Sequence, residues 1–263
     1  MISNRFLYVL SFVFLPILLL GQNKSDSFAP NFTNIALEEG LSNYHITSIC
    51  QDSLGYVWIG TGRGLNRYDG TSFKHYFFTP DTPKFGIPHD YINKTIYSNN
   101  HVFVNTRRGA VVLNQKSDTW NSLVLESNIA DITAIQNRVF AISKNTIFEY
   151  DFELSKLKIS GIFSPIKAVS FIKSDANFLW ILSNDRKTIY RCNLKSNLLV
   201  QIHIDDPSFS EILAASIVNN QIIANTNNGI YALQLSENKD AVDKQSTLLH
   251  SAIDNPYFSV EQY

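Results

Sequence analysis

The chain has 263 residues with a formal net charge of −1, and 44% of it is hydrophobic and 13% aromatic. A charge this close to zero excludes a dedicated nucleic-acid surface, which would need a clear excess of Lys and Arg, so no nucleic-acid partner is expected. The aromatic share favours a β-rich fold, and the length suffices for one domain with a sizeable core.

Residues 1–21 have the pattern of a secretory signal peptide. Arg5 supplies a positive charge, and residues 6–20 form an apolar run broken only by a serine and a proline. That run is short for a membrane span, which needs about 20 apolar residues. An uncleaved N-terminal anchor is the alternative, because Leu19 is not the small residue usual three positions before a cleavage site. Either way, we expect the rest of the chain outside the cytoplasm.

Residues 52–70 contain two tight turns and two short strands. Gly55 suits a left-handed position in the first turn, and Asp69-Gly70 is a strong hairpin dipeptide. Residues 56–59 are all apolar, so both faces of that strand are expected to be buried, as in a blade stacked between two others. Neighbouring runs complete a meander of four antiparallel strands, predicted at 46–50, 56–59, 65–68 and 72–78.

This unit recurs along the chain. Segments that align with Trp58-Ile59-Gly60-Thr61 are Phe103-Val104-Asn105-Thr106, Phe140-Ala141-Ile142-Ser143, Trp180-Ile181-Leu182-Ser183 and Ile223-Ala224-Asn225-Thr226. Their offsets are 45, 37, 40 and 43 residues, and a period near 40 with four strands per period is typical of a β-propeller. We therefore predict an all-β, incomplete propeller of four-stranded antiparallel blades. Its repeats lie near 40–78, 88–121, 129–158, 166–200 and 210–235, with a partial one at 248–263.

The first repeat resembles the repeat of the two-component regulator propeller family. Its sequence GLSNYHITSICQDSLGYVWIGTGRGLNRYDG matches that pattern at Gly40-Leu41-Ser42, Ile49, Asp52, Gly55, Trp58, Gly60, Thr61, Gly64, Leu65, Tyr68, Asp69 and Gly70. Later repeats keep less of it: the second retains Thr106 and Gly109, and the fifth retains Thr226 and Gly229. The resemblance covers residues 32–78 by motif and 28–263 by period.

The resemblance implies a function. In that family, propellers form the periplasmic sensor half of hybrid histidine kinases of the Bacteroidota type, which detect glycans or their breakdown products. A signal peptide at 1–21 would then precede a propeller sensor domain at 22–263. The implied partners are a small-molecule or oligosaccharide ligand and, in a full-length protein, downstream membrane-anchored kinase modules and a second copy of the chain. Kinase activity would reside in those modules, so this chain is not expected to be an enzyme.

The C-terminal end allows two interpretations. Residues 248–263 look like the opening strand of a sixth repeat, so the chain would be the N-terminal piece of a longer sensor. Alternatively, residues 28–37 close a five-bladed ring by pairing into the last blade. Two other functional classes also stay open: an exported propeller enzyme acting on glycans, such as a lyase or hydrolase, and a stand-alone protein-interaction propeller.

No catalytic signature is present. Motifs of the HExxH and GxSxG types and a Gly-rich phosphate loop with lysine are absent from the sequence. The histidines show no pair with the spacing of a metal site; they are His45, His75, His89, His101, His203 and His250. We therefore expect neither a metal nor a cofactor.

Three arginines are the candidate ligand-binding residues. Arg63, Arg107 and Arg108 recur in the turn between the second and third strands of consecutive repeats. Turns at one end of a propeller share one rim, where guanidinium groups could hold a carboxylate or sulfate of an acidic sugar through bidentate hydrogen bonds. The alternative is that they are solvated turn charges.

Two tryptophans and both cysteines are assigned to the core. Trp58 and Trp180 occupy the same strand-interior position, which favours packing over sugar stacking, whereas Trp120 is outside that register. Cys50 and Cys192 fall in the first and fourth repeats, which a propeller keeps apart. We predict two buried free thiols, because Cα atoms more than about 7 Å apart cannot be bridged.

Overall fold

A computed structural model describes residues 34–80, 86–123, 125, 128–163, 166–172, 177–204, 206, 210–218, 221–235 and 242–251; at 162, 169 and 242–251 it describes the backbone alone. Two units, Met1–Asn34 and Ile35–Tyr263, are distinguished, and all the elements below belong to the second. The predicted signal peptide lies outside the described residues. Of the strand predicted at 28–37, the described part forms no strand, and residues 37–40 make a turn.

The predicted all-β architecture is confirmed. In the described residues, twenty strands form five four-stranded antiparallel sheets, each with its strands in sequence order. The strands are β1 (Ile46–Gln51), β2 (Val57–Thr61), β3 (Gly64–Tyr68), β4 (Phe73–Tyr76), β5 (Ile92–Ser98), β6 (His101–Thr106), β7 (Gly109–Asn114), β8 (Thr119–Leu123), β9 (Asp131–Ile135), β10 (Arg138–Ser143), β11 (Thr146–Asp151), β12 (Lys156–Ile159), β13 (Ala168–Ile172), β14 (Phe178–Ser183), β15 (Thr188–Asn193), β16 (Leu199–His203), β17 (Ile212–Val218), β18 (Gln221–Thr226), β19 (Gly229–Leu235) and β20 (Val242–Ser251). One 3₁₀ turn, Gly161–Phe163, lies between β12 and β13.

The C-terminal strand falls elsewhere than predicted. Residues 236–244 are polar and charged, a pattern that predicts a solvated loop, but a strand begins within this range at Val242 and pairs with β19. Residues 248–251, assigned above to a partial sixth repeat, are therefore part of the fourth strand of the fifth sheet. Residues 252–263 lie outside the described residues.

Large apolar side chains between successive sheets form the core. Trp58, Phe103, Phe140 and Trp180 are fully buried, and each contributes to a cluster with residues of the next sheet. Trp58, for example, packs in a cluster with Ile92 and other residues of the second sheet. The predicted core position of Trp58 and Trp180 is confirmed, because aromatic rings on the second strand fill the space between neighbouring blades.

The two thiols are free, as predicted. Cys192 is buried, whereas Cys50 is only half-buried, so the expected burial holds fully for one of them. Partial burial is still enough to raise the pKa of the Cys50 thiol to about 11, because desolvation disfavours the thiolate.

No helix in the part of the chain that the structure describes is long and apolar enough to cross a membrane.

Candidate functional site

The turns between β2 and β3 and between β6 and β7 are closed by a threonine hydroxyl. Thr61 Oγ1 accepts the Arg63 N–H at 3.1 Å and donates to the Gly64 carbonyl at 2.8 Å. The same two bonds occur at Thr106 and Thr226. Gly64 has a φ of +95°, which favours glycine. The motif Thr-x-x-Gly therefore sets the backbone from which the arginines project.

The first two of these turns are joined through one short segment of backbone. The Gly64 N–H donates to the Asp90 carbonyl at 2.6 Å, and the Arg107 N–H donates to the Tyr91 carbonyl at 3.2 Å. Because these acceptors are consecutive residues just before β5, the turns that carry Arg63 and Arg107 lie next to each other at one end of the sheets.

An aromatic pair lies beside these arginines. The His45 and Tyr91 rings meet edge to face with centroids 5.8 Å apart, and Arg107 Cζ lies 3.8 Å from the Tyr91 ring centroid. The His45 carbonyl also accepts the Gly62 N–H at 2.9 Å, which holds His45 against the first turn. We call Arg63, Arg107, Arg108, His45 and Tyr91 the rim cluster.

The rim cluster is open to solvent and rich in hydrogen-bond donors. Its three arginines and His45 are exposed and Tyr91 is half-buried. Among the described residues, no carboxylate forms an ion pair with Arg63, Arg107 or Arg108. Stacking on Tyr91 orients the Arg107 guanidinium. The arrangement can therefore offer bidentate donors and an aromatic surface to an anionic ligand.

Sequence reasoning named the arginines but missed His45 and Tyr91. Each of the two immediately precedes the first strand of its repeat, before Ile46 and Ile92. That shared place was the available signal, and it was weak because the residue types differ.

The equivalent turn of the fourth sheet, between β14 and β15, also carries an arginine, but this arginine contacts other residues of the chain. Arg186 Nε lies 3.8 Å from a Glu211 carboxylate oxygen, and its Nη1 donates to the Ile212 carbonyl at 3.3 Å. This guanidinium therefore joins the fourth and fifth sheets. Among the described residues, the exposed arginines without a carboxylate partner lie in the first two sheets.

The remaining motif residues of the first repeat build the scaffold. Asp52 Oδ2 accepts the Trp58 Nε1–H at 2.7 Å, and Oδ1 accepts the N–H groups of Leu54 and Tyr56 at 2.9 and 3.0 Å. One carboxylate thus closes the turn and anchors the core tryptophan.

Within the described residues, no group of three or more His, Cys, Asp or Glu side chains could hold a metal ion.

Five meandering sheets with polar turns at their ends define a β-propeller repeat region with an exposed basic rim. The family resemblance drawn from the motif is confirmed: residues 40–63 match the family model described as "Two component regulator propeller". A curated relative, histidine kinase P4 of Formosa agariphila, is 42% identical over 73 residues. That match covers 28% of this chain, which spans 5% of the length of the relative.

Solved structures share the fold. The extracellular domain of a hybrid two-component system from B. thetaiotaomicron, BT3049, superposes with a TM-score of 0.61 at 18% identity, over 82% of this chain and 32% of that one. Virginiamycin B lyase from Staphylococcus aureus superposes with a TM-score of 0.53 at 15% identity, over 77% and 69% of the two chains. At these identities the likeness establishes the propeller fold, which is shared by sensor regions and by an enzyme.

Proposed function

We propose that this chain is the ligand-sensing propeller region of a two-component signal-transduction sensor, exported to the periplasm, and that its rim cluster binds an acidic carbohydrate. The observation that carries the proposal is the pairing of two arginine-bearing turns around Tyr91. The two-component regulator propeller match at 40–63 supports the sensor class. The name of the relative, a histidine kinase, supports the same class.

The chemistry of the rim cluster suits an acidic sugar. A guanidinium binds a carboxylate or sulfate through two parallel hydrogen bonds, and the exposed His45 side chain lies against Tyr91, beside the Arg107 guanidinium. Because Arg107 is already stacked on Tyr91, less side-chain entropy is lost when it binds. Loops held on a rigid scaffold are where recognition residues concentrate.

Signalling needs parts beyond the propeller. We place the propeller on the N-terminal side of a membrane span and kinase modules in a longer protein, and we assign no enzymatic activity to the propeller itself. In a full-length homodimer, the ligand would favour one arrangement of the two copies by binding it more tightly than the other.

Calorimetric titration of the exported chain with acidic and neutral oligosaccharides tests the binding. We expect an acidic oligosaccharide to bind and the double variant Arg63→Gln/Arg107→Gln to weaken it at least about tenfold, since each lost charged hydrogen bond is worth about 1.5–3 kcal/mol. The matched control is Lys116→Gln/Lys195→Gln, which removes two exposed charges from turns between third and fourth strands.

The outcomes separate the alternatives. Equal binding of an acidic oligosaccharide by the arginine variant and by the unaltered chain would show that the rim cluster is not its site. If no oligosaccharide binds, the carbohydrate class is wrong, and a protein-interaction propeller becomes the better interpretation.

A further inference from the structure

The sheets stack on one another in one direction along the chain. We call the face that a sheet turns towards the next sheet its forward face, and the opposite face its backward face. Trp58, on the forward face of the first sheet, packs in one cluster with Val102 and Val104 of the second. Trp180 of the fourth sheet packs in the same way with Ile222 of the fifth. Each of the junctions between consecutive described sheets therefore joins a forward face to a backward face.

The backward face of the first sheet is partly open. Val57 and Ile59 are only half-buried, and Ile49, which pairs with Ile59, is 59% exposed. The residues in the places of Val57 and Ile59 in the other four sheets are at most 1% exposed; they are Val102, Val104, Val139, Ala141, Leu179, Ile181, Ile222 and Ala224. Ser42 covers the β3 side of this face, where its N–H donates to Asn66 Oδ1 at 3.0 Å. The first sheet thus exposes apolar positions that are buried in each of the other sheets.

The forward face of the fifth sheet is open as well. Ile223 of β18 and Ile230 of β19 are only half-buried. The residues in their places in the other four sheets are at most 4% exposed; they are Trp58, Leu65, Phe103, Ala110, Phe140, Ile147, Trp180 and Ile189. The first strands of consecutive sheets lie against each other, but among the described strands no contact of comparable extent joins β17 to β1. The described stack therefore has one open face of each kind.

Both open faces lie on strands that are nearly free of charge. β1, β2, β17, β18 and β19 contain no Lys, Arg, Asp or Glu. Arg67, the charged residue of β3, pairs with Trp58 on the forward face of the first sheet, so it lies away from the open side. Covering either face therefore removes apolar surface from water without desolvating a charge on these strands, and this favours association.

We propose that the open forward face of the fifth sheet of one copy docks on the open backward face of the first sheet of a second copy. This contact repeats between copies the junction that consecutive sheets already make within the chain. Because each copy has one open face of each kind, the association is head-to-tail and continues until a ring closes. The proposal goes beyond the ligand-sensing function and requires neither the rim cluster nor a sugar.

Sedimentation velocity on the exported chain tests the docking. We expect the mean mass to rise with concentration between about 1 and 100 μM, the weaker end of the affinities that specific interfaces reach. Ile59→Lys and Ile223→Lys should each remain monomeric over this range, because docking would bury a lysine without a counter-charge. Leu154→Lys, at a position of the third sheet with 53% exposure, is the matched control and should associate like the unaltered chain.

Mixing the two variants separates head-to-tail docking from other modes of association. The Ile59→Lys chain keeps its forward face and the Ile223→Lys chain keeps its backward face, so an equimolar mixture should form a dimer of one copy of each and grow no further. Circular dichroism checks that both variants fold. Ile49→Lys repeats the backward-face test at a position that is already 59% exposed, where a lysine disturbs folding least.

Three results would overturn the inference. The first is an unaltered chain that stays monomeric up to about 100 μM. The second is association of folded Ile49→Lys or Ile59→Lys chains at the level of the unaltered chain. The third is a mixture of Ile59→Lys and Ile223→Lys chains that stays monomeric while the unaltered chain associates. Oligosaccharide binding by the rim cluster is measured separately, so failure of the docking leaves the sensing proposal testable on its own.

Discussion

Lys94 Nζ lies 2.7 Å from Asp131 Oδ1, and the two residues hold the same register position on the first strands of adjacent sheets. Asp131 Oδ2 also accepts the Phe171 N–H, from the first strand of the next sheet, at 2.8 Å. One carboxylate therefore ties three consecutive sheets together. It is nearly buried, with 7% of its side chain exposed against 37% for Lys94.

Asp131→Asn should lower the free energy of unfolding by about 1–3 kcal/mol. The variant removes the counter-charge of Lys94 and weakens a charged hydrogen bond to Phe171, and the exposure of Lys94 keeps the loss below that of a fully buried pair. Urea denaturation followed by tryptophan fluorescence measures this loss in the free energy of unfolding.

The matched control for this ion pair is Lys158→Gln. It breaks the bond to Asp151 at 2.6 Å, where the lysine side chain is 50% exposed, so we expect a change of at most about 1 kcal/mol. Equal losses in the two variants would contradict the view that Asp131 links the sheets.

The core position of Trp58 can be tested through two substitutions. Trp58→Ala should cost about 3–5 kcal/mol as a large-to-small change at a fully buried site. Trp58→Phe keeps most of the apolar volume but loses the hydrogen bond to Asp52, so we expect the free energy of unfolding to fall by about 1–2 kcal/mol. Denaturant melts measure both, and a loss below about 1 kcal/mol for the alanine variant would show that the indole does not support the core.

Gly60 is required by a close approach rather than by its backbone conformation. A Cβ at this position would lie 2.5 Å from Ser48 Oγ and 2.7 Å from Ile92 Cγ2. Gly60→Ala should therefore destabilise the chain by about 1–3 kcal/mol. Gly161→Ala is the control, because a Cβ there meets nothing within 4 Å; similar melting of the two variants would refute the steric explanation.

The sequence predicted the fold well because each repeat carries its own signals. The second-strand segment recurs about every 40 residues, with an aromatic residue in the first four repeats and a turn glycine after it in the first, second and fifth, and local chemistry of this kind can be read from a single sequence. The Thr-x-x-Gly spacing also placed Arg63 and Arg107 on equivalent turns.

Other features depend on contacts between repeats and were missed. His45 meets Tyr91, and Lys94 meets Asp131, across sheet boundaries that no spacing rule encodes. The start of the strand at Val242 was missed because residues 236–244 are polar and charged and match a solvated loop.

Alkaline pH should destabilise the chain through Cys50. Burial raises the pKa of its thiol from about 9 to about 11, so between these pH values the native state keeps a proton that the unfolded state loses. Since the unfolded state then binds fewer protons, stability falls as pH rises from about 9 to 11. Urea melts of the unaltered chain and of Cys50→Ser at pH 8 and 10.5 measure this, and the serine variant should lose less stability over that interval.

A complementary measurement is alkylation by iodoacetamide followed by mass spectrometry: Cys50 should react at pH 8 far more slowly than a small thiol. Reaction at the rate of a small thiol would show that the thiol of Cys50 is not desolvated.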